Sequence, residues 1–205
     1  WLLNTRYDLM FSVNARTRKM GKSNQRDKDQ GKRILRYLAG TIDYPLVFRA
    51  SASSSFQLFA RVDASHLSEP ESKSMYGWAV YLGDPLSQHH TGAIAAKSGV
   101  IKLASHSTLE SEAYGADEVC KFIVWARDHL MEHGFPQNTT TIFTDNQAVI
   151  QVMKNPVLHQ RTRHFRMRLA FVRQLVMDQK IEFVYVPTQQ NEANTLTKAL
   201  GTVPF

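Results

Sequence analysis

Phe56-Gln57-Leu58-Phe59-Ala60-Arg61-Val62-Asp63 is apolar at most positions and ends on a carboxylate, the pattern of a half-buried strand. Residues 75–82 and 93–103 run apolar or alternate in the same way, the last with turns around Gly99. Three strands in succession predict antiparallel hairpins. Beyond them the period lengthens. A long helix is expected over residues 108–133, stopped by Gly134 and Pro136, followed by a strand at 140–144 and a helix at 147–153. After a break at Pro156 come a helix at 163–178, a strand at 181–186, Pro187 as a stop, and a last helix near 192–200. This order predicts an α/β fold in which a mixed five-stranded sheet is flanked by helices.

Upstream, residues 6–20 and 26–39 carry apolar side chains at helical spacing, with Ile34, Leu35 and Leu38 on one stripe and Gly40 as a stop. A short apolar stretch at 44–48 precedes Ala50-Ser51-Ala52-Ser53-Ser54-Ser55, which has nothing to bury and reads as a linker. The division expected is a helical, basic segment over 1–50 and a larger domain over 51–205.

A chain of 205 residues with 43% hydrophobic and 21% charged residues can bury one sizeable core, which excludes disordered and coiled-coil classes. No apolar run approaches the roughly 20 residues of a membrane helix, and Trp1-Leu2-Leu3-Asn4 lacks the regions of a signal peptide, so a soluble intracellular protein is expected. The single cysteine, Cys120, forms no intrachain disulfide and reads as a packing residue. The net charge is +7. Eleven of the 25 basic and four of the 18 acidic residues fall within residues 1–50, leaving fourteen of each sign in the remainder. A basic region on a neutral body is either a footprint for a polyanion such as nucleic acid or a solvated helix face.

Asp63 closes the first predicted strand, Asp145 closes the fourth, and Glu110 and Glu112 lie in the first turns of the long helix. A lone Asp closing a strand is usually a turn or cap residue, and Asp145 would cap the following helix. Parallel pairing changes the odds, because it brings carboxyl ends of strands to the sheet edge where open sheets place their sites. Two carboxylates about 4 Å apart repel by on the order of 4 kcal/mol at an effective dielectric of 20. A hard divalent cation such as Mg2+ is the natural compensation.

Other patterns carry less. His129-Leu130-Met131-Glu132-His133 fits an inverted zinc-protease spacing, but its place in a last helical turn favours a helix-dipole role. His89-His90 read as a solvated loop, and Trp78 and Trp125, each inside an apolar run, read as core. There is no nucleophile elbow, phosphate loop or dinucleotide fingerprint. Arg161, Arg163, Arg166, Arg168 and Arg173 form a second basic cluster, an exposed helix face or a phosphate-contacting edge.

Several stretches, in order, resemble the ribonuclease H domain of copia-like retrotransposon Pol polyproteins. They are Arg61-Val62-Asp63-Ala64-Ser65, Ser107-Thr108-Leu109-Glu110-Ser111-Glu112, Phe143-Thr144-Asp145-Asn146-Gln147-Ala148, Lys154-Asn155-Pro156-Val157, His159-Gln160-Arg161-Thr162-Arg163-His164, and Val186-Pro187-Thr188 through Leu196-Thr197-Lys198. Thr5-Arg6-Tyr7-Asp8-Leu9 and Arg33-Ile34-Leu35-Arg36-Tyr37-Leu38-Ala39-Gly40-Thr41-Ile42-Asp43 resemble the segment joining reverse transcriptase to that domain.

The resemblance implies a ribonuclease H-like fold and a two-metal endonuclease that cuts the RNA strand of RNA/DNA hybrids, with two Mg2+ ions and Mn2+ as a substitute. It implies a reverse transcriptase domain of the same polyprotein as partner, and a location in cytoplasmic particles or the nucleus. The four acidic positions fall on Asp63, Glu112, Asp145 and position 194, where Asn194 stands in place of Asp. Glu112 is preferred to Glu110 because it matches the second acid of the family string, and the two are about 200° apart on a helix. Asn194 removes a charge from the ion that activates water. The alternatives are therefore a catalytically silent hybrid-binding or assembly module, or a purely structural subunit. In this family context Arg161, Arg163, Arg166 and Arg168 are assigned to nucleic-acid contact, with Arg166 replacing a usual acid.

Overall fold

The computed structural model describes residues 2–48, 56–69, 73–85, 91–102, 107–155 and 166–199. Five strands, β1 (Leu58–Glu69), β2 (Lys73–Leu82), β3 (Ala93–Val100), β4 (Thr140–Thr144) and β5 (Ile181–Tyr185), form one sheet in the order β3-β2-β1-β4-β5. The first two pairings are antiparallel, and β1–β4 and β4–β5 are parallel. The expected mixed α/β sheet is therefore present.

Alternation along β1 divides the core between two faces. Leu58, Ala60 and Val62, with Tyr76, Trp78 and Val80 of β2, lie under α4 (Thr108–Glu132), which contributes Ala116, Val119, Cys120 and Ile123. The same cluster takes Val149 and Met153 of α5 (Gln147–Lys154) and Leu169 and Val172 of α6 (Arg166–Met177). Cys120 is fully buried there, as expected for a packing residue. Gly134 ends the α4 segment at a φ of +83°, a left-handed conformation suited to a helix stop. At that end Arg127 donates to the carbonyls of Gln137 and Asn138 and to the Thr140 hydroxyl, tying the helix to the start of β4.

On the opposite face Phe59, Ala79, Tyr81 and Ala93 pack with Leu196 and with Met10 from the N-terminal segment. That segment contains α1 (Leu2–Thr5), α2 (Met10–Thr17) and α3 (Gln25–Gly40). A reciprocal capping box between Asn24 and Asp27 starts α3. Residues 2–48 thus help to cover the sheet, and Gly92 N–H also donates to the Val47 carbonyl at 2.7 Å. The linker expected at 50–55 lies outside the described residues.

Two expectations need correction. Asp63 is not at the end of its strand: parallel pairing with β4 stops at Arg61↔Phe143, and β1 continues beside β2 to Glu69. The last helix is not an α-helix either, because Thr188–Gln190 and Glu192–Leu196 are two short 3-10 turns. Side chains compete with helical backbone bonding there: Asn191 accepts from Ala193 N–H, and Asn194 donates to the Thr188 and Asn191 carbonyls.

This C-terminal strap presses against β2. A Cβ at Gly77, the partner of Asp63 across the β1–β2 pairing, would sit 2.4 Å from Leu196 Cβ. Gly77→Ala should therefore destabilise the fold by about 1–3 kcal/mol, the usual cost of overpacking, read as a lower denaturant midpoint at unchanged m-value. An unchanged midpoint would show that the strap is not seated on β2.

Candidate metal centre

Three elements deliver carboxylates to one place. Asp63 comes from β1 at the point where its pairing with β4 has ended, and Asp145 directly follows β4. Glu112 comes from the first turns of α4, whose start is fixed by Ser107 accepting from Glu110 N–H. One oxygen from each lies within 4.8 Å of the others, the one such grouping of metal-ligating side chains among the described residues. They line an open depression of about 400 Å³, together with Asn146, Tyr185 and Lys198.

Burial and repulsion act together on these acids. Glu112 is 5% exposed, and its Oε2 has no hydrogen-bond partner. Burial, then the charges of Asp63 and Asp145, hold its carboxyl well above the ordinary range. Burial also pushes Asp63 up to about 6, opposed by a hydrogen bond from Thr197 and by the positive charge of Lys198. A buried carboxylate oxygen without a donor, beside two further carboxylates, suits a hard divalent cation. The donor set therefore fits the implied metal.

Glu112, and not Glu110, joins the cluster. Asn194 does not. It is 5% exposed, its Nδ2 is bonded to carbonyls of its own strap, its Oδ1 is unpartnered, and it does not line the depression. Glu192 does not replace it, since its Oε2 accepts from the Tyr81 hydroxyl at 2.7 Å. Sequence reasoning missed three neighbours. Asn191 donates from Nδ2 to the Val62 carbonyl at 2.9 Å and to Asp145 Oδ1 at 3.5 Å. Thr197 donates to Asp63, and Lys198 lines the depression. Thr197 and Lys198 close the last quoted motif, so their place was signalled by the string and their role was not.

Of the assigned arginines, Arg161 and Arg163 lie outside the described residues, as do His89 and His90. Arg166 is exposed at the start of α6. Arg168 is engaged within the protein: it is ion-paired with buried Asp117 and lies 4.3 Å from the Tyr114 ring centroid, joining α6 to α4. Arg173 donates to the Val152 carbonyl. Trp78 is core at 5% exposure, whereas Trp125 is 60% exposed and stacks on His129, which corrects its reading as core. His129 and His133 are exposed at the helix end with ring centroids 4.4 Å apart, and they do not enter a metal-ligating cluster.

No family model matches the chain. Solved structures similar to the chain include a ribonuclease H1, LC11-RNase H1 isolated from compost, at a TM-score of 0.52 and 12% identity, covering 69% of this chain and 92% of that one. The fold is thus that of ribonuclease H. Over 98% of its length the chain is 30% identical to the retrovirus-related Pol polyprotein from transposon TNT 1-94 of Nicotiana tabacum. Over its full length it is 29% identical to that from transposon RE2 of Arabidopsis thaliana. The chain is related to copia-like retrotransposon Pol polyproteins, and it spans about 14% of the length of these two relatives. No described helix is long and apolar enough to cross a membrane.

The raised carboxyl of Asp63 fixes a pH dependence. A carboxyl whose folded pKa exceeds its unfolded value of about 3.9 contributes stability below that value, and the contribution is lost as pH rises through about 6. In chelator, the protein should gain stability as pH falls from 7 to 4.5, by on the order of 2 kcal/mol from this group. Asp63→Asn should remove that share of the gain. A thermal melting series showing the same pH response in parent and variant would place the proton elsewhere.

Proposed function

We propose that the chain is the ribonuclease H part of a retrotransposon Pol polyprotein and cleaves the RNA strand of RNA/DNA hybrids with Mg2+, or Mn2+ in its place. The observation that carries this reading is the three-carboxylate cluster with its unpartnered Glu112 oxygen, set in an open depression on a ribonuclease H fold. Asp63, Glu112 and Asp145 would hold the metal. Two bound ions would supply an activated water and a charge at the leaving oxygen. Asn191 orients Asp145, and Lys198 offers a cation to a phosphate at the rim.

The hybrid is expected to be recognised through its backbone and the RNA 2′-hydroxyls across a wide minor groove. Arg166, at the start of α6, and Arg161 and Arg163 remain the proposed contacts with the hybrid. Within residues 1–50, the proposed connection to a reverse transcriptase domain, α3 exposes Arg26, Lys28, Lys32, Arg33 and Arg36. Part of the basic excess is internal, since Arg6 pairs with Asp8 and Arg16 with Asp27. The exposed side of α3 is the polyanion footprint proposed. Neutralising it tests this better than deleting the segment, because deletion would uncover Phe59, Tyr81 and Leu196.

A labelled RNA/DNA hybrid should be cut in Mg2+ and in Mn2+, while RNA/RNA and DNA/DNA duplexes are spared. Asp63→Asn should abolish cleavage with the hybrid still bound, Glu112→Gln should be severe, and Glu110→Gln mild. Comparable cleavage of either control duplex removes the substrate assignment, and the reverse order for the glutamates removes the role of Glu112.

A second reading, hybrid binding without cleavage, is favoured by Asn194 facing into its own strap. In the same assay it predicts binding alone. Position 194 also has its own consequence. Asn194→Asp would set a carboxylate against two carbonyls and remove two donors, so the metal-free fold should lose roughly 1–3 kcal/mol. Melting in chelator tests this. An equal or higher melting temperature would mean that the strap turns freely and that a carboxylate at 194 can reach the metals.

A further inference from the structure

Thr197 is fully buried and its hydroxyl donates to Asp63 Oδ2. Its own carbonyl and that of the residue before it are both tied down. Ser65 Oγ donates to the Thr197 carbonyl at 3.1 Å, and Ser98 Oγ donates to the carbonyl of the preceding Leu196 at 2.6 Å. The chain of bonds then leaves the sheet, because Asn14 Nδ2 on α2 donates to the Ser98 carbonyl at 2.7 Å. Leu196 is packed in the same cluster as Met10 at the start of α2. Asn14, Ser98, Leu196, Thr197 and Asp63 thus form one continuous path from the N-terminal segment to the acidic cluster.

We propose that Thr197 is a positioning residue that fixes the Asp63 carboxylate for a divalent cation, and that α2 holds Thr197 in place through Asn14 and Ser98. A hydroxyl bonded to one carboxylate oxygen sets the plane of the group and leaves the other oxygen for the cluster. Outer partners of this kind are worth 10–100-fold in metal affinity or activity. A shift of about half an ångström in such a ligand is enough to spoil a site. The basic segment is then part of the support of the site, and a movement of α2 reaches Asp63 through three hydrogen bonds and one packed leucine. This rests on the reading of Asp63 as a metal ligand.

The test uses the full chain and Mn2+ alone as probe, with bound ion measured by the loss of the free-ion paramagnetic resonance signal, followed by kcat and KM on the RNA/DNA hybrid. Thr197→Val should bind Mn2+ about 10–100-fold more weakly and lower kcat while leaving KM for the hybrid within about twofold of the parent. Thr197→Ser, which keeps the hydroxyl, should restore the parent affinity. Ser98→Ala and Asn14→Ala should weaken Mn2+ binding in the same direction by smaller factors. Parent-like affinity in Thr197→Val, or equal losses in the Ser and Val variants, overturns the role of the hydroxyl. Loss of melting temperature alone in Ser98→Ala and Asn14→Ala overturns the link to α2. If Thr197→Val does not fold, Thr197→Ala takes its place in the comparison. A parent that binds Mn2+ but cuts no hybrid sinks the nuclease reading and leaves the affinity comparison standing. If Asp63→Asn binds Mn2+ like the parent, Asp63 is not a ligand and this proposal falls with that reading.

Discussion

The mutual repulsion of Asp63, Glu112 and Asp145 is the constraint around which the rest of the molecule is arranged. Two ionised carboxylates about 4 Å apart repel by on the order of 4 kcal/mol at an effective dielectric of 20, a large share of a domain's net stability, and the raised carboxyls of Asp63 and Glu112 record burial together with that cost. A fold tolerates this only if other parts force the groups together. Here the force comes from apolar packing on the two faces of one sheet: α4 brings Glu112 in from one side, and the C-terminal strap holds Asp63 from the other. Neither contact alone would set the distance between the two acids.

Positive charge from Lys198 and donors from Thr197 and Asn191 soften the repulsion without cancelling it. Glu112 keeps an oxygen with no donor. Metal binding to the folded state would return stability by mass action, about 2.7 kcal/mol at one hundred times the dissociation constant. The stability of the chain and its capacity to hold a cation are therefore two views of one cluster.

The sheet and its three acids were legible because their signals are local. Strand-length apolar runs mark β1 and β2, and a long apolar-periodic run bounded by Ser107 and Gly134 marks α4. The strap was not legible, since its shape is decided by side chains bonding to nearby carbonyls, and Asn191 and Asn194 read equally well as caps or as helix residues. Trp125 fails for a related reason. Its neighbours Ile123 and Ala126 are buried, and a residue two positions from Ile123 is turned by about 200°, which on a helix covered on one side means solvent. Arg168 looked like a phosphate contact in a basic string, and only the three-dimensional position of Asp117 on α4 shows where its charge goes.

The replacement at position 194 and the shape of the strap explain one another. A carboxylate could not accept the geometry that Asn194 has, because both of its contacts are carbonyl oxygens that require a donor. An amide can donate twice, which tightens residues 188–194 into a closed turn and draws the side chain away from Asp63 and Asp145. The same tightening fixes the backbone three residues on, where the Thr197 hydroxyl also lies 3.2 Å from the Asn194 carbonyl and donates to Asp63. On the proposed metal-centre reading, what the site loses in charge at one position of the strap it regains as orientation at another, and the strap would support a ligand in place of supplying one.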